Sequence, residues 1–366
     1  DGVRGVHVVD ADGDGDVDVV SAWSSSDTLA WHENDCGLSP TPQPTPPPTP
    51  RPTARCENIQ FDTHILTTSR DSAIAVYSTD VDGDGVVDFL LASGYDDMVT
   101  WYDGSSDYDE AVVAVNADAA AFVFAIDLDQ DGDEDVLYAS TNDDTVAWCE
   151  NDGAGVFDVR VISTKCDGCY TSIGVDLTGS GEIDVVTASY LDDSVAWYAN
   201  DGEENFAEHV VTTTLNGAVS AYPVDLDGDQ DIDIVTDVYY FDSVVWLKNN
   251  GENPVPSFSE HVITTDLESP FGTASGVDID GDGEIDILAA SSFYDKIVWF
   301  KNNGVEVFSQ NVVTTLADNV RSLLARDVDG DGDQDLVAGY HSGDAVVWHE
   351  NDGSEMFTEH FVVEGA

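Results

Sequence analysis

One segment recurs seven times along this chain, and a repeat of that length leaves few folds open. In its last copy it reads Asp327-Val-Asp-Gly-Asp-Gly-Asp-Gln-Asp335, then Leu336-Val-Ala-Gly-Tyr340, then Ala345-Val-Val-Trp348-His-Glu-Asn-Asp-Gly353, then Phe357-Thr-Glu-His360. The acidic stretches begin at Asp10, Asp80, Asp127, Asp176, Asp225, Asp278 and Asp327, so successive starts lie 70, 47, 49, 49, 53 and 49 residues apart. The long first interval holds a proline-rich insert, residues 37–55. A period of roughly 40–50 residues with strand-like content marks the blades of a propeller. Each unit divides into four short β-branched and aromatic runs separated by turn residues, and none has helical periodicity. The expectation is a single all-β domain, a seven-bladed β-propeller with four antiparallel strands per blade. Blade 1 spans 1–66 with the insert, followed by blades at 67–116, 117–164, 165–214, 215–265, 266–315 and 316–366.

The chemistry lies in the acidic stretches, which lead from the first strand of each blade into the second. Their form is D-x-D-x-D-G-x-x-D. Calcium is a hard cation that takes six to eight oxygens. Side chains at positions 1, 3, 5 and 9 and the carbonyl at position 7 can supply them, while glycine at position 6 permits the sharp turn. An EF-hand starts the same way but needs a glutamate at position 12 and flanking helices. Position 12 here is Ser21, Leu91 or Tyr138, inside a strand.

Five loops are complete. They are Asp10, Asp12, Asp14, Asp16 and Asp18; Asp80, Asp82, Asp84, Val86 and Asp88; Asp127, Asp129, Asp131, Asp133 and Asp135; Asp278, Asp280, Asp282, Glu284 and Asp286; and Asp327, Asp329, Asp331, Asp333 and Asp335. A sixth (Asp225, Asp227, Asp229, Asp231, Asp233) has Gln230 in place of the glycine, so binding there would carry strain. The seventh (Asp176, Thr178, Ser180, Glu182, Asp184) loses two carboxylates and is expected to be the weakest site. Up to seven structural Ca2+ ions are thus expected.

These loops, in phase with a blade-length repeat, make the chain resemble the FG-GAP/VCBS repeat family, the integrin-α-type propellers, over nearly its whole length outside residues 37–55. The resemblance implies loops between the first two strands of each blade that bind calcium structurally. The family spans adhesion receptors, lectins and a few lyases, so the resemblance leaves the activity open.

Charge narrows the partners. With 74 acidic and 11 basic residues the formal charge is −63. Such a chain repels phosphate backbones and anionic membrane surfaces, which argues against nucleic-acid binding. No apolar run reaches the ~18–20 residues of a membrane span, so no membrane insertion is expected. The start at Asp1, without Met, reads as a processed product whose export signal lay upstream. Cys36 and Cys56 bracket the insert and read as a disulfide, implying an oxidising compartment and an extracellular or cell-surface location. Cys166 and Cys169 form a C-x-x-C, either a short-loop disulfide or a redox or zinc half-site; Cys149 reads as a buried free thiol.

The insert alternates Pro and Thr, a polyproline II composition. It resembles hydroxyproline-rich extracellular stalks, which implies O-linked sugars on Thr41, Thr45, Thr49 or Thr53 and contact with neighbouring subunits or matrix glycans. Three functions compete. One is a non-enzymatic structural or adhesive module of an extracellular glycoprotein, in a surface coat or fibril. A second is a lectin using the turn aromatics Tyr190, Tyr239, Tyr240, Phe293 and Tyr294. The third, a polysaccharide lyase-like enzyme, lacks any singular catalytic constellation. The tryptophan and histidine that recur once per repeat read as packing.

Overall fold

A computed structural model describes residues 2–34, 59–252 and 255–365. Among these, 28 strands form seven antiparallel sheets, each built from four consecutive strands. The only helical turns described are the 3-10 segments Gly104–Ser106 and Tyr239–Phe241. The chain is an all-β, seven-bladed propeller.

Blade 7 shows why the sequence folds this way. Its second strand, Asp335–Tyr340, is buried on both faces, as a middle strand between neighbouring sheets must be, and its sequence is a near-continuous apolar run. The second strand is fully buried in every blade. The fourth strand, Phe357–Glu364, lies at the outer edge and alternates between exposed and covered residues. The first strands stand innermost, and residues from all seven line one central cavity. Gly5 marks how closely they converge: a Cβ there would lie 2.8 Å from the Ile74 carbonyl oxygen.

The cores lie between blades rather than within them. Leu90 and Trp101 of blade 2 pack with Val123, Val136 and Tyr138 of blade 3. The ring closes in the same manner: Val3, Val6, Val19 and Trp23 of blade 1 pack on Val337, Val346 and Trp348 of blade 7. The Val6 N–H adds a bond to Ser322 Oγ, 3.1 Å. No described strand of blade 7 completes the sheet of blade 1.

Cross-strand register explains the recurring histidines. Trp31, Trp197, Trp246 and Trp348 on third strands face His64, His209, His261 and His360 on fourth strands. Three pairs stack with centroids 4.4–4.7 Å apart; Trp246 and His261 are tilted at 5.0 Å. Where Arg160 replaces histidine, its guanidinium sits 5.5 Å from the Trp148 ring.

Because consecutive strands alternate direction, the loops joining first to second strands share one face with the turns joining third to fourth. The second-to-third turns lie on the opposite face. The insert falls between the third strand Thr28–Asn34 and the fourth strand Phe61–Thr67 of blade 1. Cys36, Cys56, Thr41, Thr45, Thr49 and Thr53 lie outside the described residues. Cys166 and Cys169 are joined by a disulfide, and Cys149 is a buried free thiol whose pKa burial pushes up.

Candidate metal centres in the seven loops

Each loop is organised by its ninth residue. One oxygen of that carboxylate accepts the N–H of position 2: Ala11 to Asp18 at 2.8 Å, Leu128 to Asp135 at 3.0 Å, Val328 to Asp335 at 3.0 Å. The other accepts an N–H at the end of the third strand, from Asn34, Gly104, Asn151, Asn200, Asn249, Asn302 and Asn351, at 2.7–2.9 Å. All seven ninth-position aspartates are buried. Burial pushes their carboxyls up, to about 6 at Asp18, Asp88, Asp184 and Asp286 and about 7 at Asp135, Asp233 and Asp335. The two N–H bonds pull the other way, and neighbouring carboxylates add to the rise.

The first residue closes the turn. Its oxygens accept the N–H of position 6, from Gly15, Gly85, Gly132, Gly181, Gly283 and Gly332 at 2.8–3.1 Å. Gln230 makes the same bond to Asp225 at 3.0 Å with φ of 74°. The left-handed geometry survives without glycine, at the strain a side chain carries there. Gln130 holds the same region, φ 61°, at position 4 of the Asp127 loop. In the Asp176 loop the Ser180 hydroxyl takes the place of a carboxylate and accepts the Glu182 N–H at 3.2 Å.

Positions 1, 3 and 9 gather. Single oxygens of Asp10, Asp12 and Asp18 lie within 4.8 Å of one another, and those of Asp80, Asp82 and Asp88 and of Asp127, Asp129 and Asp135 do the same. Burial raises the third-position carboxyls of Asp12, Asp82 and Asp129. Three first-position oxygens, Oδ1 of Asp127, Asp225 and Asp327, are buried without a hydrogen-bond partner. An orphaned buried carboxylate oxygen beside two more carboxylates is costly. An all-oxygen donor set of this kind fits a hard divalent cation such as calcium.

Two groups were not foreseen from the sequence. The asparagine of the Asn-Asp-Gly turn joins loops across blades: Asn151 Nδ2 donates to Glu134 O in its own loop and to Val81 O in the preceding blade, at 2.9 and 2.7 Å. Asn34, Asn302 and Asn351 reach across in the same way. Lysines also enter two loops. Lys248 Nζ bonds Asp227 and, at 2.6 Å, Glu306 of the next blade. Lys301 bonds Asp280 and lies 3.5 Å from Asp282 and Glu355. The signal was present: the position two after each tryptophan holds Glu33, Asp103, Glu150 or Glu350 in four other blades.

Comparison with known proteins agrees with this geometry. Residues 176–236 and 278–338 match the FG-GAP-like repeat. The chain carries FG-GAP-like repeats on a seven-bladed propeller. A search of curated proteins finds no match to it. Among solved structures, this propeller is similar to a protein from Lactobacillus plantarum, at 12% identity over 94% of this chain and 95% of that one, TM-score 0.65. It is also similar to an Agrocybe aegerita lectin that recognises non-reducing terminal N-acetylglucosamine (17% identity, 83% and 86% coverage, TM-score 0.57). Virginiamycin B lyase from Staphylococcus aureus aligns at 11% identity, 92% and 94% coverage, TM-score 0.59. At these identities the likeness is one of fold. No described helix is long and apolar enough to cross a membrane.

Proposed function

We propose that this propeller is a calcium-stabilised, non-enzymatic module of an extracellular glycoprotein, acting as a structural or adhesive subunit. The observation that supports this reading is the uniformity of its blades. Each repeats the same loop and the same ninth-position anchor. Each outer strand also exposes one large apolar or aromatic residue at the same place: Ile65, Val112, Val161, Val210, Val262, Val312 and Phe361, all 48–59% exposed. A rim that repeats seven times suits repeated lateral contact better than one reaction centre. The ions would be held by positions 1, 3, 5 and 9 and the carbonyl of position 7. They would supply charge neutralisation to loops that repel themselves.

The test is assembly. Sedimentation and electron microscopy of native protein in calcium should show propellers associated side by side, and Val210→Lys with Val262→Lys should weaken that association without unfolding the ring. A strictly monomeric native particle at high concentration would overturn the adhesive reading. Glycan binding is the second reading, and a specific cluster favours it. Tyr190, Tyr239 and Tyr240 crowd on the face opposite the metal loops, with the Tyr190 and Tyr240 hydroxyls 2.5 Å apart and Tyr240 56% exposed. A glycan array tests it.

A further inference from the structure

In a chain with 74 acidic residues, Arg4 and Arg321 form no ion pair with a carboxylate among the described residues. Arg4 and Arg321 open the first strands of blades 1 and 7 and line the same end of the central cavity, on the face opposite the metal loops. Five other basic side chains, Arg70, Arg160, Lys165, Lys248 and Lys301, all reach carboxylates. Arg4 makes no side-chain hydrogen bond among the described residues, and its Nε is buried without a partner. Arg321 is fixed by Nε donating to Asn319 Oδ1 at 3.0 Å and by its guanidinium lying 4.4 Å from the Phe271 ring. That leaves its terminal nitrogens without an acceptor among the described residues.

Their surroundings leave the charge uncancelled. Each guanidinium depresses the basicity of nearby His341, after the larger effect of burial, and His341 Nδ1 is itself buried and unpartnered. Asp237, a buried carboxylate in blade 5, is turned to the N–H groups of Thr273 and Ala274 at 2.6 and 2.9 Å. On the cavity wall beside Tyr170, the Thr171 hydroxyl is buried without a partner. Both guanidiniums line the cavity, and Arg321 loses basicity first to burial and then to the charge of Arg4; like charges held near one another repel, and an anion would relieve them. Paired guanidiniums match the fork of a carboxylate.

An aromatic track leads to this place. Tyr240, Tyr190, Tyr239, Phe271 and Tyr170 follow one another with centroids 5.4, 5.9, 5.6 and 5.0 Å apart, from the exposed turns to the cavity mouth. The cavity, about 390 Å³, falls within the ~300–1,000 Å³ of small-molecule sites. A net charge of −63 keeps polyanions at a distance, so the ligand should bring one charge and bring it last.

We propose that this mouth binds the acidic end of a glycan: a terminal uronic acid whose carboxylate meets Arg4 and Arg321 while the preceding sugars lie along the aromatic track. The proposal rests on the glycan-binding reading and deepens it. The full chain in calcium is titrated by calorimetry with glucuronate, with a neutral glucose trisaccharide, and with the same trisaccharide ending in glucuronate. The acid-ended trisaccharide should bind at least tenfold more tightly than the neutral one. Arg4→Gln and Arg321→Gln should each remove that preference while Lys165→Gln keeps it, and both arginine variants should melt no lower than the parent. Equal binding of neutral and acid-ended sugars overturns this proposal and leaves the glycan reading standing. No binding of any of the three overturns both, and an unchanged preference in the two arginine variants overturns the assignment of the site.

Discussion

At the scale of the residue, the ninth aspartate of each loop does more than offer an oxygen to a cation. Asp335 holds its own loop through the Val328 N–H and the third strand through the Asn351 N–H, so its two oxygens fasten two chain segments. Asp335→Ala orphans both buried donors, each worth roughly 1–3 kcal/mol. It should therefore cost more than Thr178→Ala, and chemical denaturation with and without calcium checks both the order and the calcium dependence. Asn351→Ala, which releases carbonyls of two blades, should lower stability by about 1–2 kcal/mol by the same measurement.

Asp237 gives a pH prediction independent of the metal. Burial raises its pKa to about 6, against the bonds from Thr273 and Ala274, so the folded state holds the proton more tightly than the unfolded chain. Stability from this group is then present in acid, below the ordinary aspartate range, and is lost as pH rises through about 6. Asp237→Asn keeps an acceptor for the two N–H groups and removes the charge. It should raise the melting temperature at pH 7.5, gain least at pH 4, and flatten the profile between them. A variant that melts lower at pH 7.5 would show that the carboxylate is needed in its charged form.

At the scale of the element, strands and loops differ in how far the sequence foretold them. The second strands and the tryptophan-bearing third strands are legible because burial on both faces demands an apolar run, and the run is there in each copy. The loops are legible because alternate aspartates and a glycine at position 6 are local requirements. Long-range partners were not. Nothing near Asn151 in sequence announces Val81, 70 residues away, as an acceptor, and the histidines needed strand register to become the partners of tryptophans. Gln230 was expected to carry strain in its loop, and it takes the left-handed region at φ 74° while the position-6 bond to Asp225 still forms.

Lys248 and Lys301 grade the loops. A tethered ammonium already sits on the third-position carboxylates of blades 5 and 6. Calcium titration of Lys248→Met with Lys301→Met, followed by calorimetry, should show tighter binding at two sites and a greater loss of stability in chelator than the parent suffers. In the parent, each site filled at a hundredfold excess over Kd adds about 2.7 kcal/mol. Chelation should therefore lower the melting temperature by tens of degrees, and an unchanged melting curve would remove the metal from the account of stability.

At the scale of the whole molecule, the ring is held by seven similar apolar interfaces, and the one between blades 7 and 1 is covalently no different from a cut. Blade 1 is built from Val3–Val9 onward and blade 7 ends at Glu364, each within its own sheet. Other circular folds can hide such a seam by letting the last strand finish the first sheet, but here Trp348, Val337 and Val346 pack on Val3 and Trp23, and the bonds from Val6 to Ser322 and from Asn34 to Val328 cross the seam without a shared sheet. Trp348→Ala should thus cost about 3–5 kcal/mol, felt as separation of the first and last blades, which hydrogen exchange would localise to Val3–Val9 before other first strands. The same arrangement makes the order of blades along the gene a matter of indifference to the circle. A gene that starts at residue 215, runs to Gly365, crosses a short glycine linker to Gly2 and stops at residue 214 should encode the same ring, because every sheet would still be drawn from four neighbouring strands. A scaffold with interchangeable beginnings can be opened between any two blades to carry a passenger.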